Sequence, residues 1–117
     1  MTRRGSQNTA ILLHLAKGRS LTRYGAILTF RVQNLTARIS ELRDIVTSAV
    51  IRHRISDVDD AIFTTEGGLV MVEKTDANGQ TYASYSIPQR GVRQAVGRYL
   101  ATLTVASENI RRAAKRA

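Results

Sequence analysis

The chain has 117 residues, with 18 Lys plus Arg against 9 Asp plus Glu, a formal charge of +9 and no cysteine. That length suits one domain, a hydrophobic content of 43% excludes wholesale disorder, and the missing cysteines exclude a disulfide scaffold, a thiolate zinc site and a cysteine nucleophile. No apolar run reaches the ~20 residues of a membrane span, and the basic residues 1–6 precede an apolar stretch broken by His14 and Lys17, which argues against a signal peptide.

Ser6 is placed to cap a first helix over about 6–17, with Ile11, Leu12 and Leu15 on one face and Gly18 at the stop position. Ser20 or Thr22 caps a second helix over 23–28, where Leu21 and Ala26 or Ile27 form a hydrophobic staple. Gly25 lowers helix propensity there and can mark a close crossing with another helix. A third helix begins near Val32 or Gln33. Leu35, Ile39 and Leu42 make its narrow apolar stripe, and the opposite face carries Gln33, Ala37, Ser40 and Asp44, with Thr36 and Glu41 flanking and Arg38 and Arg43 at the shoulders.

Residues 45–55 are rich in Ile and Val and either extend this helix or form a strand. The run 50–55 reads better as a strand. Residues 56–68 are acidic and loop-like, with Gly67 and Gly68 as a turn. Strands over 69–74 and 81–87 flank Asp76-Ala77-Asn78-Gly79, a hairpin turn with Asn-Gly at its tight end, and Pro88 ends the second strand. From Gln89 onward the chain reads as helix. Val92, Val96, Tyr99, Leu103, Ala106, Ile110 and Ala113 recur every 3.5 residues on average, the period of a helix–helix seam. That seam either packs on its own domain or joins two copies.

The charge is segregated. Residues 1–55 carry +8, residues 56–79 carry −5 and residues 80–117 carry +6; 15 of the 18 basic side chains are Arg. Guanidinium bonds phosphate and guanine edges in bidentate fashion. The balance therefore points to a polyanion, foremost nucleic acid, against an ordinary solubilising surface. Together the elements give an α+β layout, a winged helix-turn-helix over 1–88 followed by a long helix over 89–117 that can serve as a dimerisation element. In such a layout two short helices brace a third, which enters the major groove, ~12 Å wide, while the hairpin forms a wing.

The stretch from Leu21-Thr22 through Leu28, followed by Leu35-Thr36-Ala37-Arg38-Ile39-Ser40-Glu41-Leu42-Arg43, resembles a family of small winged helix-turn-helix proteins from phages and prophages. In that family a Leu-Thr cap opens the second helix, and the third carries a Leu-x-Ala-Arg-Ile-x-x-Leu-Arg pattern. The likeness spans roughly 7–87, with its specific part in 21–43. It implies sequence-specific DNA binding in phage gene control or DNA handling. The family usually has a glycine in the turn before the third helix, where this chain has Arg31, and its segment before the hairpin is shorter than 56–68.

Candidate contacts follow. Gln33, Asn34 and Thr36 lie at the start of helix three, where amides suit adenine edges and a Thr methyl suits thymine; Asn34 is equally a helix cap. Ala37 and Ser40 share that face. Arg31, Arg38 and Arg43 can clamp phosphate or guanine, although Arg38 can instead pair with Glu41 or Asp44. Arg19 and Arg23 can hold phosphate at the start of helix two. Arg52 and Arg54 alternate along the expected 50–55 strand and either line the wing or form a solvated face. The acidic wing tip, with Asp76 and Asn78, is a poor phosphate reader.

Catalysis is not expected. His14 and His53 lack neighbouring Cys or carboxylate patterns. Asp57-x-Asp59-Asp60 lacks the Gly and Glu that complete a calcium loop, and Gly67-Gly68 lacks the Lys-Ser/Thr of a phosphate loop. We therefore expect no enzyme activity, cofactor or metal. The expected partners are duplex DNA and a second copy through the C-terminal helix, in the host cytoplasm, on the nucleoid if the protein is a phage product, and away from membranes. Two alternatives stand beside this reading. One is a non-specific DNA- or RNA-binding accessory protein; the other is an inhibitor or adaptor that binds a host protein through a winged fold.

Overall fold

The computed structural model describes residues 3–54 and 57–116, with side chains described for 7–54 and 57–103. In chain order the elements are α1 (Arg3–Ala16), β1 (Leu21–Thr22), α2 (Arg23–Phe30), α3 (Leu35–His53), α4 (Asp60–Glu66), β2 (Val70–Thr75), β3 (Thr81–Ser86) and α5 (Arg90–Arg116). The fold is α+β, with five helices and a three-stranded antiparallel sheet among the described residues.

The sheet order is β1-β3-β2. β2 and β3 pair from Val70↔Ser86 to Thr75↔Thr81 around the expected Asn-Gly turn, where Gly79 takes the left-handed φ of +80°. β1 adds only Leu21↔Tyr85 and Thr22↔Ser84. Thr22 then caps α2, its hydroxyl accepting from the Gly25 N–H at 3.0 Å. The neighbours of Gly25 are the side chains of Thr22 and Leu21, not another helix.

One core joins the helices and the sheet. Ile11, Leu12 and Leu15 of α1 meet Leu35, Ile39, Leu42, Val46, Ala49 and Val50 of α3 and Val92, Ala95, Val96 and Leu100 of α5, with Leu69, Tyr85 and Ile87 closing it. Burying each large aliphatic side chain stabilises the fold by about 1.5–3 kcal/mol. Gly68 is needed where the hairpin crosses α3 and α5. A Cβ there would stand 2.6 Å from Val46 Cγ1 and 2.9 Å from Val92 Cγ1.

Several expectations are corrected. Residues 50–53 are helix, not strand, because Val46, Ala49 and Val50 continue the stripe of Leu35, Ile39 and Leu42 and bury it against α5. The third strand of the sheet is instead β1. Residues 60–66 form a short helix capped by the Asp59 carboxylate, which accepts from the Ile62 N–H at 3.2 Å. α1 begins at Arg3, ahead of the expected Ser6 cap, and α2 runs on to Phe30. α3 begins at Leu35, so Val32 and Gln33 precede it. In α5, Val92 and Val96 are core residues and Tyr99 and Leu103 pack against the core. Ala106, Ile110 and Ala113 lie outside the described side chains.

Candidate functional site

The turn between α2 and α3 sets the site. α2 ends on Arg31, whose φ of 57° and ψ of 32° are left-handed. Its N–H donates to the Ile27 carbonyl at 3.1 Å, and the Val32 N–H donates to the Ala26 carbonyl at 3.2 Å, which closes the helix. This is the conformation that favours glycine, and here an arginine adopts it. Val32 then turns into the core, Gln33 stays exposed, and the Asn34 side chain caps α3 by accepting from the Ala37 N–H at 3.2 Å. Thr36, Ala37 and Ser40 follow on the exposed face.

Two open clefts flank this helix start. The first, of about 930 Å³, lies between α2 and the hairpin and is lined by Arg23, Tyr24, Ile27, Thr36, Gln80 and Tyr82, among others. β1 reaches only Tyr85 and Ser84, so the edge of β3 beyond them is open to this cleft. Asp76 N donates to Gln80 O at 2.9 Å, a paired position of the ladder. Antiparallel alternation then turns the backbone groups of Thr81 and Ala83 away from β2, towards the cleft. Asp76 also lines it, but Oδ1 is engaged by the Asn78 and Gln80 N–H groups at 2.8 and 2.9 Å. The second cleft follows the α2–α3 turn and is lined by Gln7, Arg31, Gln33, Asn34, Ala37 and Arg38, among others. Ile27 belongs to both clefts, so the surface is continuous.

The expected contacts divide. Arg23, Arg31, Gln33, Asn34, Thr36 and Ala37 line the clefts. Ser40 is exposed one turn further along α3, and Arg19 is exposed ahead of β1. Arg38 is half-buried and committed to α1, with NH1 donating to Asn8 Oδ1 at 3.0 Å and NH2 to Gln7 Oε1 at 2.7 Å. In place of the alternative pairing with Glu41 or Asp44, Arg38 thus makes a contact across helices. Arg43 Nε donates to the Leu69 carbonyl at 3.2 Å. Arg52 and Arg54 are not on a wing strand. Arg52 lies in the last turn of α3, and Arg54 caps that helix and pairs with Asp60 at 2.8 Å.

Sequence reasoning missed Tyr24, Gln80, Tyr82 and Gln7. The hairpin residues were within reach, since the Asn-Gly turn fixes the register and places Gln80 and Tyr82 beside it. Gln7 carried no local signal. His14 sits at the core margin, donating from Nε2 to the Ser20 carbonyl at 2.9 Å and meeting Phe30 edge-on. Among the described residues, no group of three or more His, Asp or Glu could hold a metal ion, and no helix is long and apolar enough to cross a membrane.

No protein-family model, curated protein or solved structure matches this chain.

Proposed function

We propose that the protein is a winged helix-turn-helix that binds duplex DNA. The start of α3 enters the major groove and the β2–β3 hairpin serves as the wing. The observation that carries this reading is one shared cleft. Thr36 of α3 and Gln80 and Tyr82 of the hairpin face each other across it, with Arg23 at its rim. Hairpin and helix start therefore present to one side, as groove and flanking backbone require. Gln33, Thr36, Ala37 and Ser40 supply small and amide groups suited to base edges. Exposed Arg19, Arg23 and Arg31 supply phosphate contacts. Phage or prophage gene control is the setting that the resemblance of 21–43 implies, and pairing of two copies through α5 would present two such surfaces to two half-sites.

Selection from random duplex DNA at near-physiological salt tests the reading. A recovered motif with steeply salt-dependent binding is expected. Recovery of no motif, with affinity insensitive to salt, overturns it.

A second reading has an observation of its own. Tyr24 and Leu28 of α2 are 71% and 65% exposed, and with Ile27 they form an apolar stripe of the kind that marks protein contacts. An inhibitor or adaptor would use that stripe, and it would show no affinity for any duplex.

A further inference from the structure

Asn8 is 4% exposed, and both ends of its amide are engaged by α3. Its Oδ1 accepts from Arg38 NH1 at 3.0 Å, and its Nδ2 donates to Glu41 Oε1 at 3.1 Å. Guanidinium offers no acceptor and carboxylate no donor, so the two partners dictate which way the amide lies. Arg38 and Glu41 stand one turn apart on α3. A slide or rotation of α3 against α1 would leave the buried Asn8 amide unmatched, which is costly. Gln7 extends the arrangement to α2. Its Oε1 accepts from Arg38 NH2 at 2.7 Å, and its Nε2 donates to the Phe30 and Arg31 carbonyls at 3.4 and 3.3 Å. Two consecutive residues of α1 thus hold the second turn of α3 and the end of α2 together.

We infer that the Gln7–Asn8–Arg38–Glu41 cluster is a positioning clamp that sets the angle at which the start of α3 is presented, and through that angle determines which bases it reads. The inference rests on the DNA-binding reading. It makes Arg38 a positioning residue, although it stands beside the reading face. A polar network centred on a buried amide favours one arrangement where apolar packing tolerates several. The groups that read bases, Gln33 and Thr36, follow directly from the turn that Gln7 ties down.

Exchanging the chemistry in place tests the clamp. Asn8→Asp sets a carboxylate against Glu41. Asn8→Asp with Glu41→Gln restores a donor at position 41 and an acceptor at position 8, with charge conserved. Two measurements are made on the full chain: the orientation of α3 relative to α1 from residual dipolar couplings of the free protein, and the ratio of affinities for a selected and a scrambled duplex. Asn8→Asp is expected to turn α3 and to lower the ratio about tenfold or more. Affinity for the scrambled duplex and its salt dependence stay as in the parent, and the double variant recovers both orientation and ratio. Arg38→Lys, which keeps the charge but not the fork, is expected to lose the ratio likewise and serves if Asn8→Asp does not fold. An unchanged orientation, an unchanged ratio or a double variant without recovery overturns the clamp. A loss by Arg38→Lys that is equal on both duplexes also overturns it, because that is the signature of a phosphate contact. If the parent prefers no duplex, the DNA-binding reading fails, and the couplings alone decide whether the clamp sets α3.

Discussion

Arg43 Nε donates to the backbone carbonyl of Leu69 at 3.2 Å, tying the middle of α3 to the residue that leads into the hairpin. The bond fixes where the hairpin leaves the body, and so where its far end lies relative to the start of α3. Arg43→Met keeps much of the stem and removes the donor. It is expected to cost about 1–2 kcal/mol of stability, measured by urea denaturation, while the salt dependence of the proposed duplex binding stays unchanged.

Gly68 lies under the same crossing. Gly68→Ala drives a methyl into Val46 and Val92, whose nearest atoms would be 2.6 and 2.9 Å away. Both neighbours are core side chains with little room to give. The expected loss is about 1–3 kcal/mol of overpacking strain, seen as a lower Tm.

Gln33→Ala with Thr36→Ala removes two exposed groups from the proposed reading face. Among the described residues, neither side chain makes a hydrogen bond that would complicate the outcome. Specific affinity is expected to fall by roughly 1–3 kcal/mol per lost base contact, with binding to scrambled duplex retained. Competition binding with selected and scrambled duplexes measures both.

Arg31 separates charge from backbone strain. A left-handed residue with a side chain is less favourable than glycine by about 1 kcal/mol. Arg31→Gly is therefore expected to raise stability by up to about that amount while weakening binding to all duplexes alike. The slope of affinity against salt should fall by about one phosphate contact. A fall in stability, read by thermal denaturation, would contradict the backbone argument.

How far the sequence reached depends on how local each cause is. The hairpin was legible because Asn78-Gly79 chemistry acts over four residues, and α2 because Thr22 caps it three residues away. The exposed face of α3 was legible from the spacing of Leu35, Ile39 and Leu42 alone. The length of α3 was not. Val50 and Ile51 locally favour strand, and only the buried face presented to α5 overrides them. α4 carried a legible cap in Asp59, hidden by the acidic run around it. The partner of Arg38 lies on α1, some thirty residues back, and no spacing rule reaches it.

The two-residue strand β1 bears on the order of folding. Its partners, Leu21 and Tyr85, are separated by more than half of the chain, whereas β2 and β3 close around a short turn. Closing the longer loop costs more chain entropy for fewer ladder bonds. β1 is therefore expected to dock late, with φ-values near zero at Leu21 against higher values in the α3–α5 core. The cleft between α2 and the hairpin then comes into being with the last contact made. A nascent or partly unfolded chain, though its helices are formed and its charge is intact, would lack the proposed reading surface until that latch closes.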